Sequence, residues 1–188
     1  MPAHRYLLSA LQFLDGPLAL TSANRSGQPD SVSAQQAVES LGRFLDGDEP
    51  AGGKWNYDAE NRRTFGRKGP GRVPEPVSFP PDAVTREVLD LVAREFPEHP
   101  GDLQGFGWPV TPAAAQSALE DFIRHRLADF GRYQDAMWTG EPFLYHALLS
   151  SSLNLSLLDP ARVIDRAVEA LDGGAAPLAA VEGFVRQL

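Results

Sequence analysis

The chain of 188 residues contains no cysteine, which excludes disulfides, thiolate nucleophiles, iron–sulfur clusters and cysteine-ligated zinc. It has no apolar run close to the roughly 20 residues that a membrane-spanning helix requires. Its first residues include charges and lack the small-residue cleavage site of a signal peptide. We therefore expect a cytoplasmic protein with no membrane span, and no residue pattern predicts a metal site.

Basic residues are also scarce. The 17 Lys and Arg residues face 25 Asp and Glu residues, which gives a formal net charge of -8. A nucleic-acid-binding protein normally has a basic surface, so the composition argues against DNA binding by this chain alone. Net charge averages over all faces, however, and a local basic groove stays possible. The densest basic stretch is residues 48–81, with six basic and five acidic side chains.

The sequence divides into three parts. Residues 1–47 alternate helix and strand signals and are typical of a small α/β fragment. Residues 48–81 are rich in glycine, proline and charge, which predicts a linker. Residues 82–188 have helical periodicity throughout. We therefore predict a mainly α fold, in which the helical part follows an α/β fragment and a Gly/Pro-rich linker.

Several helix boundaries follow from capping residues. Asp82 and Thr111-Pro112 are each predicted to begin a helix, and so is Asp159-Pro160. A last helix from about Pro177 is expected to be still running at Leu188, a pattern typical of a truncated sequence. The apolar residues predicted to face inward in the first helix are Val84, Val88, Leu89, Val92 and Phe96. Those predicted to form one stripe in the second are Leu119, Phe122, Ile123, Leu127 and Phe130.

Two polar stretches admit more than one interpretation. Thr139 to Pro142 is predicted to open a helix, after which the hydroxyls of Ser150, Ser151 and Ser152 either cap the next helix or hold a phosphate. The stretch WNYDAENRR, residues 55–63, places two aromatics among amides and charges. We interpret it as a loop that packs Trp55 and Tyr57 onto a neighbouring segment.

The loop TSANRSG at residues 21–27 follows a short strand candidate and contains hydroxyl and amide side chains. An Asx- or Ser-rich turn explains it as well as an anion-binding loop does. The phrase G-P-L-x-x-T-S-A-N-x-S-G resembles the threonylcarbamoyl-AMP synthases. That resemblance covers about the first 45 residues. It implies nucleotide-binding roles for Thr21, Ser22, Asn24 and Ser26.

A longer resemblance covers residues 52–188. The phrases that carry it are GGKWNYDAENRR, FPPDAVTREVLDLV, FPEHPGDLQGFGWPVT, FGRYQDAMWTGEPFLYHALLS, LNLSLLDP and APLAAVEGFVRQL. In these phrases and their order the chain resembles the deoxyribodipyrimidine photolyase-related family, the bacterial iron–sulfur cryptochrome and photolyase branch. The resemblance implies the helical part of a region that binds flavin adenine dinucleotide (FAD). The family's four cluster-binding cysteines have no counterpart here.

The resemblance also implies particular cofactor contacts. Tyr133 would contact the flavin, and the segment from His146 to Ser150 would wrap its pyrophosphate. The last helix would pass near the flavin ring. The cofactor-binding residues implied are Tyr133, His146, Ala147, Leu148, Leu149, Ser150 and Gln187, with Glu182 and Arg186 on the same helix as Gln187. The sequence departs from the family at Ser151, where proline is common, and at Ser156, where glycine is common.

We therefore expect a fragment of a cryptochrome- or photolyase-related flavoprotein, inactive alone, whose full-length relatives repair damaged DNA with light or sense blue light. Catalytic residues are not identified. Two alternatives stay open: a remnant of a threonylcarbamoyl-AMP synthase that acts in transfer-RNA modification, and a non-catalytic helical interaction module. The expected partner is damaged DNA in full-length relatives. Uncovered apolar surface is expected to promote self-association.

Overall fold

A computed structural model describes residues 44–47, 49–54, 57 and 59–188 of the chain. These residues form six α-helices and one two-stranded sheet, which confirms the predicted mainly α fold. Residues 1–43, which include nearly all of the predicted α/β fragment, lie outside the described residues, and so does Trp55. The nucleotide-binding residues implied by the synthase resemblance are also outside them: Thr21, Ser22, Asn24 and Ser26.

The described chain begins with a short hairpin. Strand β1 (Leu45–Asp46) pairs antiparallel with β2 (Glu49–Pro50), and a 3₁₀ turn follows at Ala51–Gly53. The hydroxyl of Tyr57 donates a 2.8 Å hydrogen bond to the Ala51 carbonyl, which confirms the predicted packing of this ring onto a neighbouring segment. From residue 59 to residue 82 the chain contains no helix or strand.

Helix α1 (Ala83–Glu95) begins as predicted, because Asp82 Oδ1 accepts a 2.8 Å hydrogen bond from the Thr85 N–H. The predicted inward orientation of its apolar stripe is wrong for Val84, Val88 and Phe96, whereas Leu89 and Val92 are half-buried. Val84 is 68% exposed, Val88 and Phe96 are about half exposed, and the helix has no buried residue. The physical reason is that the buried core is assembled from later helices, so the described residues leave this face uncovered.

The second predicted helix is divided in two. Helix α2 (Pro112–His125) begins at Thr111, whose Oγ1 accepts from the Ala114 N–H at 3.2 Å. Arg126 has φ -128 and ψ -27, outside the helical range, and α3 (Leu127–Tyr133) follows it. The predicted apolar stripe is nevertheless buried in full, because the break keeps both helices on the same core.

Three further helices complete the described fold: α4 (Ser150–Asn154), α5 (Pro160–Asp172) and α6 (Leu178–Val185). Asp159 caps α5 as predicted, since its Oδ1 accepts from the Ala161 N–H at 2.9 Å. The prediction that the last helix continues through Leu188 is wrong, because α6 ends at Val185. The next amides bond three residues back, Gln187 to Phe184 at 3.0 Å and Leu188 to Val185 at 3.2 Å, as in a tightened final turn.

The core lies between α2, α3, α5 and α6, around the rings of Phe122, Phe130 and Phe184, whose centroids are 4.8 to 5.7 Å apart. Helices α3 and α6 approach closely at Gly131, where a Cβ atom would lie 2.5 Å from the Ala180 Cα. Only glycine permits that approach. This contact fixes the end of α3 against α6 and so positions Tyr133.

Candidate functional site

The candidate site is built around Tyr133, the last residue of α3. Its ring stacks on Phe65 at a centroid distance of 4.4 Å and on Tyr145 at 5.4 Å, with interplanar angles of 23° and 24°. Trp138 meets Phe65 edge to face at 6.3 Å. Offset stacks of this kind are favourable beyond the area they bury. The linker, α3 and the segment after it therefore meet at one aromatic stack, formed by Phe65, Tyr133 and Tyr145.

Tyr145 is a partly buried phenol of this stack. Burial is the main cause that raises its pKa, and the nearby carboxylate of Asp129 raises it further. The ring therefore stays neutral across the physiological pH range. It serves as a packing surface for Tyr133.

Residues 139–149 are irregular, so the helix predicted to open at Thr139–Pro142 is wrong. Gly140, at φ 88, turns the chain, and the Glu141 N–H bonds back to the Trp138 carbonyl at 3.1 Å. Leu144 and Leu148 then adopt left-handed backbone conformations, with φ 44 and 59. Each such conformation costs a leucine roughly 1–2 kcal/mol. Strain of this kind concentrates where a segment has a functional role.

The segment from His146 to Ser150 crosses from the surface into the core. His146 is half-buried, and its N–H donates to the Phe143 carbonyl at 3.0 Å. Ala147 and Leu148 line a cavity of about 150 Å³, while Leu149 is buried in the core. Ser150 and Ser151 line a second, larger cleft of about 480 Å³, together with Leu148.

The serine cluster does not cap its helix. Helix α4 begins at Ser150 after Leu149, and its start has no side-chain capping hydrogen bond. Ser152 is fully buried, and its Oγ has no hydrogen-bond partner among the described residues. Its carbonyl accepts two backbone N–H groups, from Leu157 at 2.8 Å and Leu158 at 3.2 Å. Of the two interpretations that the sequence left open, simple capping is therefore not supported.

Gln187 lies near the aromatic stack and away from these cavities. Its Nε2 donates to Gln134 Oε1 at 3.3 Å, and Gln134 directly follows Tyr133. Beside it, Arg186 Nη2 donates to the buried carboxylate of Glu182 at 2.8 Å. The structure thus joins Gln187 to the residue that follows Tyr133. Tyr133 lines neither of the two cavities next to residues 147–151.

Sequence reasoning missed Asn61 and Arg126. Both are polar side chains with only 2% of their surface exposed. Asn61 is hidden in a charged loop, where nothing in the sequence marks it as buried. Arg126 could have been found, because it occupies a helical position on the apolar stripe between Phe122 and Phe130.

In the part of the chain that the structure describes, no helix is long and apolar enough to cross a membrane. The same residues contain no group of three or more His, Asp or Glu side chains placed to hold a metal ion.

Comparisons with known proteins confirm the predicted family resemblance. Residues 39–108 match the model of the family described as "Deoxyribodipyrimidine photo-lyase-related protein". The chain is 47% identical over 147 residues, or 78% of its length, to a (6-4) photolyase of Agrobacterium fabrum. It is 35% identical over 57 residues, or 30% of its length, to an uncharacterized protein of Acanthamoeba polyphaga mimivirus.

These matches cover 29% of the length of the photolyase and 44% of the length of the viral protein. The chain therefore spans less than half the length of the relatives it matches. The relative that carries an activity name is a photolyase, so the threonylcarbamoyl-AMP synthase alternative is not favoured.

Proposed function

We propose that this photolyase-related chain forms one side of an FAD site in a flavoprotein that repairs damaged pyrimidines in DNA with light. Blue-light reception with the same cofactor is the related activity in such families. The observation that carries the proposal is the 47% identity to a (6-4) photolyase over 147 residues. A match of this length covers more than three quarters of the chain.

The larger cleft supports a nucleotide cofactor through the chemistry of its lining. Phe106 and Trp108 supply aromatic surface, and Ser150 and Ser151 supply two hydroxyls that can donate to phosphate oxygens. A mostly apolar cleft with a few convergent polar groups is typical of cofactor sites. These residues fit a flavin nucleotide, with the two serines on its phosphates and the aromatic side chains against an apolar part.

When bound, FAD would supply light absorption and the electron that cleaves the damaged pyrimidine pair. The residues of this chain would bind and orient it. Leu148 and the fully buried Leu149 hold Ser150 in place, because they tie the segment to both cavities and to the core. Tyr133 and Gln187 line neither cavity, and their proposed contacts with the flavin rest on the family resemblance.

A basic stretch is the part of this acidic chain best suited to DNA phosphates. Between Asn61 and Pro74 the sequence has five basic residues and no acidic one. Arg67, Lys68 and Arg72 are exposed, and the loop is held against Trp138, since a Cβ at Gly69 would lie 2.8 Å from the Trp138 Cζ2. We infer that these three cations contact phosphates next to the lesion.

A second candidate function is a non-catalytic interaction module. Its specific support is the exposed apolar stripe of α1, where Val84, Val88 and Leu91 lie on one helical face and remain uncovered by the described residues. On this proposal the chain associates through α1 and is inactive alone.

Titration of the purified chain with FAD, followed by quenching of flavin fluorescence, separates the two functions. Riboflavin is the control, because it has the same ring system but no pyrophosphate or adenosine. Saturable binding of FAD with much weaker binding of riboflavin would support the flavin site. A chain that melts cooperatively and binds neither would contradict the flavin site and favour the interaction module.

A further inference from the structure

Arg126 lies in the wall of the smaller cavity. It occupies the break between α2 and α3, has only 2% of its surface exposed and forms part of the cavity wall. Arginine is rarely buried to this extent unless its charge is compensated. The residues around it therefore indicate what the cavity can bind.

The charge of Arg126 is only partly compensated. Asp121 Oδ2 is 2.9 Å from Nη1, which makes an ion pair, but the N–H and the carboxylate are not aligned for a hydrogen bond. Neither Nη1 nor Nε has a hydrogen-bond acceptor among the described residues. Asp121 is also shared, since its Oδ2 accepts from the Val77 N–H at 3.3 Å and its Oδ1 is 4.0 Å from His125 Nε2.

The electrostatic balance agrees with this geometry. Burial is the largest influence on the pKa of Arg126 and lowers it, and the opposing effect of Asp121 does not restore it. The charge of the Arg126 guanidinium is therefore incompletely compensated in a poorly solvated environment.

The rest of the wall is mostly apolar and partly aromatic. The rings of Trp108 and Phe143 meet edge to face at a centroid distance of 6.2 Å. A cavity of about 150 Å³ is large enough for a single benzene-sized ring. Ser78, Ala118, Ala147 and Leu148 also line this cavity.

We propose that this cavity binds a small aromatic carboxylate, with its ring against Trp108 and Phe143 and its carboxylate as a second counter-charge for Arg126. The apolar wall accounts for the ring, and the incompletely compensated cation accounts for the acid. A ligand of this size is far smaller than FAD. The site differs from the proposed flavin cleft in its polar groups, Arg126 in one and Ser150 and Ser151 in the other. The two share Trp108, Pro109 and Leu148 as wall residues.

Calorimetric titration of the full chain with benzoate tests the proposal at neutral pH. Benzyl alcohol keeps the ring without the charge, and acetate keeps the charge without the ring. Benzoate should bind at one site, and each control should bind at least about tenfold more weakly, because a charge-assisted contact is the stronger kind. No benzoate binding by a cooperatively folded chain would overturn the proposal, and so would equal binding of benzyl alcohol.

Four variants locate the site. Arg126→Met should abolish benzoate binding, and Asp121→Asn should tighten it several-fold, because it removes the carboxylate that competes for the cation. Arg124→Met, an exposed cation two residues away, should leave binding unchanged. Ala118→Leu fills the cavity while keeping Arg126 and should block binding, which keeps the test decisive if Arg126→Met fails to fold. Equal binding by wild type and Ala118→Leu would overturn the proposal.

Competition with FAD distinguishes the two sites. Benzoate affinity should be unchanged in the presence of FAD whether or not FAD itself binds. Displacement of benzoate by FAD would overturn the proposal of a separate site. Failure of FAD to bind would contradict the proposed flavin function and leave the benzoate result intact.

Discussion

The side-chain amide of Asn61 donates a 2.7 Å hydrogen bond to the carbonyl of Ala179, 118 residues further along the chain. Two glycines make room for it. A Cβ at Gly131 would lie 2.7 Å from Asn61 Oδ1, and one at Gly183 would lie 2.6 Å from Nδ2. Asn61 thus fixes the linker to α3 and α6, the helices next to Tyr133 and Gln187.

Replacement of Asn61 by alanine should lower the free energy of unfolding by about 0.5–1.5 kcal/mol, because it removes a partly buried hydrogen bond between the linker and α6. Urea denaturation measures this loss. Asn154→Ala, an exposed amide at the end of α4, is the matched control and should change stability by less than about 0.5 kcal/mol. Equal stabilities of the two variants would contradict this role of Asn61.

Replacement of Ser156 by glycine should stabilise the fold. Its φ of 56 lies in the left-handed region, which is the conformation that explains why glycine is common here in the resembling family. Relief of strain of about 1–2 kcal/mol exceeds the extra entropy that glycine loses, about 0.5–1 kcal/mol. Ser156→Gly should therefore raise the midpoint of urea unfolding, whereas Ser117→Gly inside α2 should lower it. A lower midpoint of urea unfolding for Ser156→Gly than for wild type would contradict backbone strain at Ser156.

The ion pair between Glu120 and Arg166 should make stability pH-dependent. Arg166 joins α5 to α2 with Nε and Nη2 bonds to Glu120 of 2.8 and 2.6 Å. Hydrogen bonding from Arg166 is the main cause that lowers the pKa of Glu120. A carboxyl with a lowered folded-state pKa stabilises the fold above its unfolded pKa, and this stabilisation is lost as the pH falls through the folded value.

Glu120→Gln should accordingly be less stable than wild type at neutral pH, and the difference should shrink towards zero in acid. Thermal unfolding from neutral to acidic pH measures it, with Glu98→Gln, an exposed carboxylate between α1 and α2, as the control. If the difference in stability between wild type and Glu120→Gln stays constant across this pH range, the ionised form of Glu120 does not stabilise the fold.

Sequence patterns predicted the helix starts that a capping side chain marks. Asp82, Thr111 and Asp159 each form the predicted cap, since these short side chains bond to N–H groups within their own first turn. The family resemblance was also visible in the sequence, because it rests on long phrases in a fixed order.

The features of the fold that the sequence did not predict depend on tertiary contacts. The orientation of α1 could not be predicted, since periodicity shows that an apolar stripe exists and not what covers it. The predicted helix is absent from residues 139–149, where Leu144 and Leu148 have left-handed backbone conformations. Leucine rarely adopts this conformation, so its presence in the sequence does not predict it. The side chain of Asn61 is buried in the space beside Gly131 and Gly183, which are 70 and more positions away in sequence.

The basic stretch should provide much of the affinity for DNA. Simultaneous replacement of Arg67, Lys68 and Arg72 by glutamine should weaken binding of a pyrimidine-dimer-containing duplex and reduce its salt dependence, because fewer phosphate counterions are released. Replacement of three exposed arginines elsewhere, Arg94, Arg124 and Arg162, is the control of equal charge. Equal losses in the two triple variants would mean that net charge alone decides binding.

The most direct test of the proposed flavin site compares FAD binding by wild type with binding by the double variant Ser150→Ala, Ser151→Ala. Ser117→Ala, which removes a hydroxyl bonded to the Ala113 carbonyl within α2, controls for loss of a serine. We predict that the double variant raises the Kd for FAD about tenfold or more, as expected for lost hydrogen bonds to a charged group, while Ser117→Ala does not. An unchanged Kd in the double variant would contradict a cofactor site at the start of α4.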